Sequence, residues 1–439
     1  MDVQARLQEA IDLHKNGDLD AAYPIYKDIL NEEPNQADAL HFAGLLAHQK
    51  GDDEQGIDLI QRSLRIFPGN AGAHNNLGNI YKRAGKSDEA IESYSAALGI
   101  SPNHADTWNN FGVLLRTSQR FEEAEKALKN ATTIDKKHAE AWHNLGLLYL
   151  LTGHLKAAGD AFEACLDLGT KRWGDPVWHA RVLCAIGRRD RALEQMELHL
   201  QRHPDDPVAK HQIAALRGEE VDRASDGYVK KHFDSFAESF DEVLANLDYR
   251  APEIVAEVVD RLMEGREPIG DVLDLGCGTG LCGPLIRQHC KVLTGMDLSE
   301  GMLRKAAELK NADGGRIYDH LVEAELVTFL REAPRDCFGM ATCVDTLCYF
   351  GPLEDMMEAL TPALRPGGIM VATVEKCEDL DGPGYLIDQS GRYSHTEPYL
   401  RQAAAGAGLD FVSAEPQILR KELGADVHGY VFVVQRPAG

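Results

Sequence analysis

Residues 272–280 read VLDLGCGTG, and their reading decides the fold of the second half of the chain. VLDL (272–275) predicts a buried strand, and LCGPLIRQ, after the glycines, predicts a helix. Gly276, Gly278 and Gly280 at that junction allow a tight turn and let a ligand lie against bare backbone. The next strand, in KVLTGMDLS, ends at Asp297, an acid placed where it can bind both hydroxyls of a ribose.

Working outward, the pattern alternates. EGMLRKAAEL reads as a helix, GMATCVDTL as a strand, LEDMMEALTPAL as a helix and GGIMVATVE as a strand. YLRQAAAGAG is a further helix, followed by the strands DFVSAEP and VHGYVFVVQR. Alternation at this spacing predicts an α/β domain over 251–439, with a parallel sheet covered by helices on both faces. The last two strands, joined by a short connection, are expected to pair antiparallel. Upstream, 221–250 predicts a helical hinge in which Phe233, Phe236 and Phe240 share a face, either for packing or as an aromatic lid. The polar stretch GEEVDRASDG, within that junction, is expected to be exposed between two separately folding units.

Before residue 220 a different order rules. Gly44, Gly78, Gly112 and Gly146 recur every 34 residues, as do Ala22, Gly56, Ala90, Ala124, Ala158 and Ala192. Pro34, Pro68 and Pro102 keep the interval, and Pro204 falls three intervals later. Leu77-Gly78, Tyr81, Ala90, Tyr94, Ala97 and Pro102 mark one full unit, which resembles the tetratricopeptide repeat. About six units are expected over 1–220, beginning near 3, 37, 71, 105, 139 and 173, with 207–220 as a capping helix. Each is a helix pair, and stacking buries faces that one pair cannot bury alone. Asn76, Asn110 and Asn144 occupy one slot. Side-chain amides both donate and accept, so this row suits an extended peptide in the groove. It resembles the peptide-tracking ladder of the O-linked N-acetylglucosamine transferase. The alternative is that each amide bonds locally.

Taken together, the second domain resembles class I methyltransferases dependent on S-adenosylmethionine (SAM). A nicotinamide-binding unit would show G-x-G-x-x-G, whereas this loop reads G-x-G-x-G. The turn Leu364-Arg365-Pro366-Gly367-Gly368 is also of the methyltransferase type. The resemblance implies SAM as cofactor, lined by Gly276, Cys277, Gly278 and Gly280. It places Asp274 at the amino-acid end, Asp297 and Leu298 at the ribose, and Ala324 and Glu325 at the adenine. The whole arrangement is similar to a bacterial group of predicted methyltransferases with tetratricopeptide repeats, whose closing pattern appears as Gly391-Arg392-Tyr393-Ser394-His395 and Leu419-Arg420-Lys421-Glu422.

Methyl transfer is an in-line displacement in which the protein mainly positions the acceptor and handles a proton. Asp345, at the end of the fourth strand, is expected to face the pocket. His395 is the expected general base, since an imidazole titrates near neutrality, with Tyr393 beside it. Arg392 could hold a carboxylate or phosphate. A protein or peptide acceptor recruited by the repeats is the first expectation. A small-molecule enzyme whose repeats serve assembly, and a non-catalytic SAM-binding scaffold, are the alternatives.

Composition sets limits on partners and location. The 439 residues carry a formal charge of -24, which disfavours nucleic acid or an anionic membrane as partner. Nine Cys without a C-x-x-C pair read as reduced thiols of a cytoplasmic protein, with no metal site. No run of 18 apolar residues exists to span a bilayer.

Overall fold

The computed structural model describes residues 2–438 apart from 170–175, 220, 235, 236, 239, 246, 312, 379 and 380, and apart from the side chains of 176, 177, 242, 243 and 245. The chain forms two compact units, 1–174 and 175–439.

The first unit holds five helix pairs. They are Val3–Lys15 with Leu19–Glu32, Ala37–Gln49 with Asp53–Ile66, Ala71–Arg83 with Ser87–Ile100, Ala105–Thr117 with Phe121–Ile134, and Ala139–Leu151 with Leu155–Asp167. The repeating glycines mark where paired helices come closest. A Cβ on Gly78 would stand 2.7 Å from the Tyr94 ring, and one on Gly146 would stand 2.5 Å from Phe162. Ala22, Ala90, Ala124 and Ala158 on the facing helices are fully buried. The 34-residue pattern is therefore the record of one close-packed contact made again in each pair.

The asparagine row makes bonds from one repeat to the next. Asn76 Nδ2 lies 2.9 Å from His41 Nε2, Asn110 Nδ2 donates to Asn75 Oδ1 at 3.2 Å, and Asn144 Nδ2 donates to Asn109 Oδ1 at 2.9 Å. Each bond spans 35 residues and ties the first helix of one pair to the first helix of the pair before it. Asn144 is buried as well. These amides hold repeat to repeat, because a buried amide must find a partner and the neighbouring repeat offers one at fixed height.

The second unit begins with helices Pro176–Ala185, Arg189–Arg202 and Pro207–Arg217. Periodicity and compactness thus divide the chain at different points, since the sixth repeat and its cap share a unit with the sheet. His211 Nε2 donates to the Gly391 carbonyl at 2.7 Å, and Gln212 Nε2 donates to the Gln389 carbonyl. The stretch expected to be exposed is bonded too: Gly351 N donates to Asp222 O, and Ala224 N donates to Tyr349 O. The stretch is exposed at Gly218, Glu219, Asp222, Ser225, Asp226 and Gly227, and Ala224 within it is buried beside Tyr349.

The strands are β1 (Ile269–Leu275), β2 (Cys290–Asp297), β3 (His320–Glu323), β4 (Phe338–Cys343), β5 (Leu364–Lys376), β6 (Tyr385–Ile387), β7 (Tyr393–His395), β8 (Asp410–Glu422) and β9 (Ala425–Gln435). β3, β2, β1, β4 and β5 lie parallel in that order. β9 runs antiparallel on β5, and β8 antiparallel on β9. The sheet is buried on both faces. Leu273, Leu275 and Ala341 pack into one core, while Val272, Met340 and Val371 pack against helix Ala251–Met263. The β6–β7 hairpin, which the sequence reading had missed, leans on the end of β5 through Glu375 and Lys376. Leu275 is level with both Met296 and Cys343, so the loops after β1, β2 and β4 open at one height. That point, where strand order reverses between β1 and β4, is where such sheets bind ligands. Among the described residues, no helix is long and apolar enough to cross a membrane.

Candidate active site

A cavity of about 610 Å³ lies at this edge. Of the residues expected at a cofactor, Asp274, Gly276, Cys277, Gly278, Asp297, Leu298, Ala324 and Glu325 line it. The glycines do separate jobs. A Cβ on Gly276 would stand 2.3 Å from Thr346 Oγ1, and one on Gly280 would stand 2.7 Å from Leu309. Gly278, at φ +56°, has nothing within 4 Å of its Cβ position, so its bare side faces open cavity.

Asp297 secures this loop. Its Oδ2 accepts from Gly278 N at 2.9 Å and its Oδ1 from Ser299 N at 2.8 Å. Burial pushes its carboxyl above the usual range, against the pull of those N–H groups. Asp274 lines the cavity from the end of β1. It is buried, and it accepts from Tyr318 Oη at 2.7 Å and Thr342 Oγ1 at 2.8 Å. Tyr318, absent from the sequence reading, also fills the space that Gly280, Gly283 and Gly295 leave open. Glu325 caps helix Leu326–Glu332 by accepting from Val327 N and Thr328 N, and it pairs with Arg223 at 2.6 Å. Burial would raise its pKa, but these donors bring it below the usual carboxylate range.

Another stretch of the cavity wall is a buried ion cluster. Arg420 Nη2 donates to Glu375 at 2.5 Å, and Nη1 to Asp345 at 3.3 Å. Arg392 reaches Glu375 at 3.3 Å, Asp345 at 3.4 Å and Tyr349 Oη at 3.3 Å. Asp345 lines the cavity with left-handed backbone (φ +51°), an uncommon conformation that Asp tolerates better than most residues. Its N–H donates to Thr373 Oγ1 at 2.8 Å. Asp345, Cys348 and Glu375 lie within 4.8 Å of one another, a spacing open to a cation. Both carboxylates are instead taken by guanidinium groups, and burial raises the Cys348 thiol well above its ordinary value. Phe233 and Phe240 also line the cavity, with ring centres 5.9 Å apart. Phe236 lies outside the described residues.

His395 and Tyr393 are not where a base would act. Neither lines the cavity. His395 is fully buried and its Nε2 donates to the Gly351 carbonyl at 2.8 Å. Tyr393 Oη donates to the Val221 carbonyl at 2.5 Å. Both sit on β7 as packing residues that anchor the neighbouring loops. Burial holds the His395 pKa down to about 4. A depressed imidazole contributes stability above its unfolded pKa near 6.5 and loses it as pH falls toward 4. The expected loss is on the order of 3 kcal/mol. Thermal midpoints at pH 7.5 and 4.5 should therefore fall further for the native chain than for His395→Gln. Parallel falls would show that this imidazole is not what acid attacks.

Residues 272–368 match the family model of a methyltransferase domain. Residues 70–137, and separately 7–71 and 109–176, match models of the tetratricopeptide repeat. The ubiquinone biosynthesis O-methyltransferase of Idiomarina loihiensis is 34% identical over 97 residues, covering 22% of this chain and 39% of that one. The malonyl-[acyl-carrier protein] O-methyltransferase of Salmonella typhimurium is 29% identical over 118 residues, covering 27% and 43%. The chain thus spans about two-fifths of the length of these curated relatives. A solved 1,6-didemethyltoxoflavin-N1-methyltransferase of Burkholderia thailandensis, with S-adenosylhomocysteine bound, is 19% identical at a TM-score of 0.37, covering 47% of this chain and 87% of that one. This chain carries tetratricopeptide repeats followed by a methyltransferase domain.

Proposed function

We propose that the protein transfers a methyl group from SAM to a small acceptor held beside the cofactor in this cavity. The observation that carries the reading is Gly278, a left-handed glycine bare toward open space and held by a buried acid. A ligand there can lie against backbone, and Asp297 stands ready to accept from hydroxyl groups. Gly276, Cys277, Gly278, Asp297 and Leu298 would hold the methionine and ribose portions, with Ala324 and Glu325 beside the adenine, while Gly280 packs on Leu309 and Tyr318 behind the loop. When bound, the cofactor supplies an electrophilic methyl group and its own leaving group.

The chain's own residues have the remaining tasks. Arg392 orients an acidic group of the acceptor, and Asp345, paired with Arg392 and Arg420, fixes where those guanidinium groups stand. Phe233 and Phe240 exclude water. A small acceptor is favoured over a recruited protein because every wall of the cavity comes from residues 178–423. The volume falls in the range of small-molecule sites, about 300–1,000 Å³. The asparagine slots that would track a peptide are also engaged between repeats. We assign the repeats to docking a protein partner for assembly.

Calorimetry with SAM and S-adenosylhomocysteine should show binding of both. Extract incubated with the protein and methyl-labelled SAM should then carry label in its low-mass fraction. No binding would overturn the cofactor reading. Label confined to protein would overturn the small acceptor.

A further inference from the structure

The sixth repeat does not only adjoin the sheet. Its first helix, Pro176–Ala185, places Trp178 and Arg181 in the cavity wall. Trp178 is 37% exposed and part of its indole surface faces the cavity. The Arg181 guanidinium stands 5.5 Å from the centre of its ring. Arg181 also pairs with Glu422, which in turn lies 3.4 Å from Arg420. The repeat helix is therefore wired into the same ion cluster that holds Asp345.

The charge facing the cavity at this end is uneven. Arg181, Arg392 and Arg420 line it, against Asp345 and Glu422, while Glu375 stands behind the lining. The contacts of Arg392 all fall at 3.3–3.4 Å. Its guanidinium lines the cavity, where the planar fork can also meet an added anion. Beside it lie flat apolar surfaces: Trp178, Phe233 and Tyr349.

We propose that Trp178 and Arg181 are specificity-determining residues of the acceptor site, and that the acceptor is an aromatic carboxylic acid or a similarly flat anion. The indole covers the flat body and Arg181, with Arg392, receives the acidic group. The last repeat is then part of the enzyme's selectivity. This rests on the methyltransferase reading for its meaning, but not for its test.

The test uses the full chain and 8-anilinonaphthalene-1-sulfonate, a fluorescent flat anion. The probe is titrated with and without saturating S-adenosylhomocysteine, whose own affinity is measured first. Trp178→Ala and Arg181→Gln should each weaken probe binding by about tenfold or more, the scale of one lost charged or stacking contact. Trp178→Phe should retain most of it, and cofactor-product affinity should stay within about twofold in all three. Melting curves confirm folding, and Trp178 is exposed enough for its loss to leave the core intact. Probe affinity unchanged in both Trp178→Ala and Arg181→Gln would overturn the proposal, as would no binding to the native chain. If the cofactor product does not bind, the cofactor reading fails alone, because the probe comparison without it still decides this one.

Discussion

Gly278→Val should abolish S-adenosylhomocysteine binding, by at least about a hundredfold, while leaving the chain folded. The two halves of that expectation have separate causes. No protein atom lies within 4 Å of the added Cβ, so the branch projects into the cavity a ligand would use. The cost to folding is the left-handed backbone, about 1–2 kcal/mol for a side chain that rarely adopts it. For a unit of this size that lowers the thermal midpoint by only about 2–8 °C. Gly276→Ala makes the contrast. Its Cβ would stand 2.3 Å from Thr346 Oγ1, so this smaller change should disturb the fold more. Asp297→Asn falls between, because the amide nitrogen cannot accept from Gly278 N or from a ribose hydroxyl. One lost bond to a charged group is worth about 1.5–3 kcal/mol, or roughly 10- to 150-fold in affinity. Calorimetry on the three variants settles the order. Wild-type affinity in Gly278→Val would show that no ligand lies against this loop.

The repeats and the sheet were legible because each rests on a local rule repeated many times. Gly44, Gly78, Gly112 and Gly146 face large side chains 16 residues later, and that distance is fixed by one helical hairpin. The Gly276–Gly280 loop was legible because a strand, a tight turn and a helix follow one another in sequence. What sequence hid was non-local. Tyr318 lies 44 residues from the carboxylate it holds, and its trace in the sequence was two glycines, Gly283 and Gly295, with no evident purpose. Arg420 and Glu375 come together from β8 and β5 across 45 residues. The β6–β7 hairpin has three residues per strand, too few for a period to appear, so His395 was taken for an active-site base. Periodicity also reports which helices pair and not which unit they join. The sixth repeat therefore looked like the end of an array, although Trp178 and Arg181 belong to the cavity of the second unit.

Arg420→Met should destabilise the second unit by about 3–5 kcal/mol, the usual effect of leaving a buried charge without its partner. Arg420 is 3% exposed and holds Glu375, Asp345 and Glu422 together from near the C-terminal end of β8. Burial already keeps the Glu375 carboxyl above its usual range, although Arg392 and Arg420 pull it down. Removing one of the two guanidinium groups lets burial dominate and raises that pKa further. The sign of the pH dependence follows. A carboxyl whose folded pKa is raised contributes its stability below the unfolded pKa, and loses it as pH rises through the folded value. The deficit of Arg420→Met relative to the native chain should thus be largest near pH 8 and shrink toward pH 5. Glu375→Gln in the same chain should recover much of the loss at pH 8, since a neutral amide of the same shape needs no counter-charge. Thermal midpoints of the three proteins across that range give the answer. A deficit independent of pH, or one that Glu375→Gln leaves untouched, would mean that packing by the Arg420 stem, rather than its charge, holds β8 against the acceptor wall.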